Sequence, residues 1–176
     1  MLPNPLHPAV VHFPIVFVVV LPIVAIAAMV LIGRGLPTRP LWLAVVMLAG
    51  ALTASSWLAV ETGQEEEEVA EEVVARSPLH DHEEAAELFL VLSGVTLVLL
   101  ASGLLNGRAG LVARYAGTTA AVLLLVAGAQ VGHSGGELVY VHGAAQAYVD
   151  QPGSESRGER GESERRRRES DSDDEH

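Results

Sequence analysis

Six of the seven histidines, His7, His12, His80, His82, His133 and His142, stand at the ends of long apolar segments and never inside them. Imidazole is a common metal and haem ligand, so segment ends that converge would assemble a site from residues far apart in the chain. Zinc or copper would take three or four nitrogen or oxygen donors in tetrahedral or tetragonal geometry, a set that His7, His12, His82, His133 and His142 could supply. A b-type haem would take two imidazoles from opposed helices, here His12 with His82 or His133, with His142 as a further candidate. Glu61, Glu137 and Tyr140 would form an outer shell. Gly128, Gly132, Gly135 and Gly136 offer room for a flat ring, although glycines in such segments also serve close helix packing. Taken singly, each histidine also reads as a residue that caps a helix end or bonds a free carbonyl.

The elements that must position these residues are membrane spans. Four runs, about 8–33, 41–60, 85–105 and 111–132, are free of ionisable side chains in their central parts, and nearly every charge falls between or after them. Each run supplies roughly the 20 apolar residues that cross ~30 Å of hydrocarbon. The first is not a cleavable signal, because it lacks a basic leader, is too long and has no small-residue cleavage motif before Arg34. The expected fold is all-α: a four-helix membrane domain over 1–149, followed by a charged, disordered tail over 150–176.

Arginine placement orients the spans. Arg34 and Arg39 follow the first span, and Arg108 and Arg114 lie between the third and fourth. The segment Glu61–Glu84 has only Arg76 amid ten carboxylates. The positive-inside rule therefore puts the arginine loops in the cytoplasm, and both termini and the acidic loop outside. All six histidine-bearing ends then share one extracytoplasmic face of a multi-pass cell-membrane protein. Trp42 and Trp57 read as interfacial anchors. Pro14 and Pro22 remove amides that would bond the carbonyls of Val10 and Val18. Thr53, Ser93, Thr96, Thr118 and Thr119 read as interhelical hydrogen bonders.

The acidic loop predicts a short amphipathic helix over Glu65–Arg76, with Val69 and Val73 on one side. Ser77-Pro78 then starts the next helix, serine as N-cap and proline at the first position. At 100° per residue His82 shares a stripe with Ala86, Phe89, Ser93 and Thr96, whereas His80 shares one with Glu84 and Glu87. His82 should face the bundle and His80 the solvent. Likewise Pro8 would make His7 the cap of the first helix, and Gly135-Gly136 would permit a turn carrying Glu137, Tyr140 and His142 back over the outer mouth.

Composition narrows the chemistry. Cysteine is absent, which excludes disulfides, thiolate metal sites and thioether haem attachment. Every basic residue is an arginine, and the net charge of −11 reads as salt adaptation of the polar parts, like that of a halophile. The Arg165–Arg168 run sits among acids and gives no nucleic-acid signal. No nucleophile motif, phosphate loop or dinucleotide fingerprint is present, so the chain does not read as an enzyme by itself. The spans also lack the buried charges that mark a coupled ion path.

Two end motifs, Leu6-His7-Pro8-Ala9-Val10-Val11-His12-Phe13-Pro14-Ile15 and Gly132-His133-Ser134-Gly135-Gly136-Glu137-Leu138-Val139-Tyr140-Val141-His142-Gly143, carry a resemblance. With Thr62-Gly63 and a histidine before the third span, they resemble an uncharacterised family of four-helix prokaryotic membrane proteins, over about Pro5 to Tyr148. The glutamate-rich loop departs from that pattern. The resemblance implies a membrane location and four helices, and it suggests haem or metal binding by the histidines. It names no activity. Two functions stay open from sequence: a haem- or metal-binding membrane component passing electrons to a membrane redox partner, and a structural or accessory membrane protein whose histidines cap helix ends. Sequence gives no oligomeric state.

Overall fold

A computed structural model describes residues 10–70 and 76–141, and both are helical nearly throughout. Four helices run in sequence: α1 His12–Gly33, α2 Thr38–Ala70, α3 Arg76–Ser102 and α4 Gly107–Tyr140. All four are long and apolar enough to cross a membrane. They form an antiparallel ring in which each helix touches its two neighbours in sequence and α4 closes onto α1. One end of the ring carries Arg34, Arg39, Arg108 and Arg114; the other carries Glu61, His82, His133 and Glu137. The expected tail, 150–176, lies outside the described residues, as do His7 and His142.

Each helix buries a stripe at spacings of three and four residues. The stripes are Leu21, Ala25 and Ala28; Val45, Ala49 and Leu52; Phe89, Ser93, Thr96 and Leu100; and Gly117, Ala121 and Leu124. Small residues recur in these stripes, while Val19, Ile23, Met47, Val91, Val98, Val112 and Leu123 face outward. In a bilayer both faces are apolar, so side-chain size rather than polarity distinguishes the packed face. So much exposed aliphatic surface would be a liability in water and is ordinary against lipid.

The arginine-end connections are short and made by glycine. Leu36 N–H bonds Leu31 O at 3.2 Å and Gly35 N–H bonds Ile32 O at 3.0 Å, with Gly35 at φ 94°. This is a Schellman ending, followed by Pro37, which cannot continue the helix. Between α3 and α4, Gly110 lies so close to the Leu105 carbonyl that any Cβ there would overlap it.

Three expectations need correction. The stretch from Glu65 to Ala70 does not form a separate amphipathic helix; it continues α2 without a break. Glutamate and alanine favour helix, and no glycine or proline occurs between Gly63 and Pro78 to stop it. Trp42 is not an interfacial anchor but is fully buried, and its indole Nε1–H donates to Leu100 O at 2.7 Å. Leu100 O, in the last turn of α3, also accepts Gly103 N–H at 3.0 Å, so the indole adds a second donor to that carbonyl and ties α2 to the end of α3. Trp57 is exposed, as an anchor would be. Finally, four of the five hydroxyls expected to bond across helices bond within their own helix instead. Thr53, Ser93, Thr96 and Thr118 each donate to a carbonyl three or four residues back in their own helix, at 2.7–3.1 Å. A lone hydroxyl in apolar surroundings finds that carbonyl without moving a neighbour.

Candidate functional site

The acidic end of the ring brings α2, α3 and α4 together around His82. Two turns below it, Phe89 and Val18 close over Gly128, where a Cβ would come within 3.2 and 3.3 Å of them. Seven residues of helix rise about 10 Å and return to nearly the same face, so His82 on α3 and Gly135 on α4 meet again above that layer. There the imidazole lies across Gly135. A Cβ at that glycine would sit 3.0 Å from His82 Cε1, 3.5 Å from Nε2 and 3.7 Å from Nδ1.

The ring is also oriented chemically. His82 Nδ1 lies 2.8 Å from Ser134 Oγ, and Ser134 Oγ donates to Val131 O at 3.0 Å. Ser134 Oγ thus stands between the imidazole and the α4 backbone and ties the Nδ1 edge of the ring to that helix. A second link at this level joins α2 to α3: Gln64 Nε2 donates to Glu83 Oε1 at 3.3 Å and to Glu87 Oε1 at 3.4 Å.

The other histidines are placed differently. His80 is exposed, 3.2 Å from Glu84 and 3.7 Å from Glu83, which agrees with the solvent stripe expected for it. His133 is 78% exposed and lies 3.5 Å from Glu137, one turn further along α4. His12 is the first residue of α1 and exposed, as are Glu61 and Tyr140. Thus His12, His82 and His133 share a level along the bundle but not a face. Among the described residues, no three His, Asp or Glu side chains come together in a way that could hold a metal ion.

The expected turn at Gly135-Gly136 is absent. The helix α4 runs through both glycines to Tyr140, and neither has a positive φ. Gly135 serves the close approach of the His82 ring, and Glu137 and Tyr140 are carried outward along the helix instead of folding back. Ser134 is the member of this site that the sequence did not reveal as a partner of His82. The signal was present in phase: Gly117, Ala121, Gly128 and Gly135 recur at four and seven residues, a small-residue stripe that marks the inward face of α4 and carries Ser134 beside it.

Among the described residues one oriented imidazole, His82, thus faces the bundle, and no set of donors there encloses an ion. The chain belongs to the family described as "Predicted membrane protein (DUF2231)", which matches residues 3–147. No curated protein and no solved structure matches it.

Proposed function

Within that membrane family, we propose that the acidic end of the bundle is extracytoplasmic and that it binds a b-type haem or a transition-metal ion through His82, for electron transfer to a membrane redox partner. The observation that carries this reading is the fixed imidazole. A ligating histidine characteristically donates its other ring N–H to an oxygen that sets tautomer and plane, and Ser134 Oγ stands 2.8 Å from His82 Nδ1, at the distance such a partner would take. Gly135, lacking a side chain, lets the ring approach α4 this closely. The further ligand candidates are His12, His133, His7 and His142, of which His7 and His142 lie outside the described residues. His12 and His133 contribute only if their side chains swing round from the outer faces of α1 and α4. A bound haem or copper ion would supply one-electron chemistry; the protein supplies an imidazole held in one orientation and acidic neighbours at the mouth.

A second reading is favoured by the same hydrogen bond. The His82–Ser134–Val131 chain by itself ties α3 to α4, as expected of a structural or accessory membrane protein without a cofactor. Expression with haem and metals supplied, followed by oxidised and reduced spectra and metal analysis of the detergent-purified protein, separates the two. The cofactor reading expects a Soret band or stoichiometric metal that His82→Ala abolishes, that Ser134→Ala alters in position or affinity, and that His80→Ala leaves intact. No Soret band and no stoichiometric metal in the unmodified chain sinks it, and leaves the latch.

A further inference from the structure

At the arginine end the α1–α4 contact, the least extensive of the four in the ring, opens outward. It leaves a groove of about 330 Å³ lined by Ile26, Met29, Val30, Tyr115 and Thr118. The walls are aliphatic apart from the two hydroxyls, and the Thr118 hydroxyl is already bonded to Arg114 O at 2.8 Å. The lining thus suits a hydrocarbon chain.

Charge at the groove's outer end is one-sided. Arg34 caps the end of α1, four residues beyond Val30 and about 40° round the axis from it. Arg108 lies in the first turn of α4, seven residues before Tyr115 and within about 20° of its direction. By the helical rise, Val30 and Tyr115 lie about 6 and 10 Å below these arginines, and Ile26 and Thr118 about 12 and 15 Å below. The guanidinium groups therefore stand at headgroup depth above a groove at acyl-chain depth. Both arginines are exposed, and among the described residues neither forms an ion pair. No carboxylate occurs over 10–60 or 88–136, so no acid in those stretches competes for them. Arg114 is different: its Nη1 donates to Gly103 O at 2.7 Å, which commits it to the end of α3.

We propose that this groove is a selective site for an anionic phospholipid, one acyl chain lying along Ile26, Val30 and Thr118 and the phosphate held between Arg34 and Arg108. Arginine binds phosphate with parallel N–H donors, and the Tyr115 ring adds apolar surface beside the acyl chain. Each basic residue near an anionic lipid contributes about fivefold in affinity at moderate salt, so two arginines should favour an anionic over a zwitterionic headgroup by about 25-fold.

The test titrates the intact chain in neutral detergent with dioleoylphosphatidylglycerol or dioleoylphosphatidylcholine and counts bound lipids by native mass spectrometry. The expected result is a preference near 25-fold for the anionic lipid, falling as salt rises. It should shrink to near parity in the Arg34→Gln/Arg108→Gln double variant and persist in Arg39→Gln, which removes an arginine from the same end but not from the groove. Thr118→Phe, which fills the groove, should weaken binding of phosphatidylglycerol. Equal binding of the two lipids by the unmodified chain overturns the proposal, as does an Arg39→Gln effect equal to that of the double variant. Unchanged binding in Thr118→Phe overturns the groove as the seat of the acyl chain.

Discussion

Gly135 and Gly136 are adjacent on one helix, yet alanine should act on them in opposite directions. At Gly136 an added Cβ meets nothing within 4 Å. Gly136→Ala therefore gains the helix preference of alanine, about 0.5–1 kcal/mol, with nothing to offset it. At Gly135 the new methyl would sit 3.0 Å from His82 Cε1, against ordinary carbon contacts of about 3.5–4.0 Å. The ring must retreat by roughly half an ångström to restore such a contact. Its 2.8 Å bond to Ser134 would then stretch beyond the usual hydrogen-bond range or swing out of line. Losing that bond costs about 1 kcal/mol, and leaving a half-buried donor short of its acceptor costs up to about 3. Propensity and strain nearly cancel for Gly135→Ala or leave it destabilised, so the two variants should differ by about 1–3 kcal/mol. Denaturation midpoints in one detergent, read by circular dichroism, measure that difference directly because both changes share helix, depth and chemistry. If Gly135→Ala is stabilised as much as Gly136→Ala, the imidazole does not rest on Gly135 and the site geometry is wrong.

Two further expectations concern the arginine end. Trp42→Phe keeps an aromatic ring in the fully buried slot but removes the donor to Leu100 O, so it should lower stability by about 1–3 kcal/mol in the same denaturation assay, whereas Trp57→Phe on the exposed face should change little. Gly110→Ala places a methyl on the Leu105 carbonyl, a backbone atom that cannot rotate away, so the α3–α4 hairpin must open; loss of folded, monodisperse protein on size exclusion is expected, and normal yield and midpoint would refute the tight turn.

The four spans were legible because absence of charge over some 20 residues is a signal that needs no tertiary information. Their ends were not. The expected stop of the fourth helix near Gly132 and the turn at Gly135-Gly136 rested on glycine as a helix breaker, a rule drawn from water-exposed helices. Within a packed bundle the same glycine permits a close approach, and α4 continues to Tyr140. Trp42 was misplaced for a related reason. Position near a span end says interface, but it does not say whether the side chain points to headgroups or to a carbonyl of the neighbouring helix, as Trp42 does to Leu100 O.

The histidines show how far one rule reaches when it is applied to every helix. Helical phase separated His82 from His80 on α3, and the structure agrees, with Phe89, Ser93, Thr96 and Leu100 buried along the His82 stripe. The same arithmetic on α1 puts His12 about 180° from Leu21 and 120° from Val18, both buried. On α4 it puts His133 about 180° from Leu124 and 120° from Ala121, again on the far side from the packed face. Both residues were placed together with His82 from depth alone, and depth fixes only one of the two coordinates a ligand needs. His82 and Ser134 satisfy both coordinates, which is why a pair of residues 52 apart in sequence, rather than three histidines at one level, meets at the acidic end. Under the proposed cofactor reading any further ligand must meet the same two conditions, depth at the acidic end and a direction toward the space between α3 and α4, and the outward-facing His12 and His133 meet only the first.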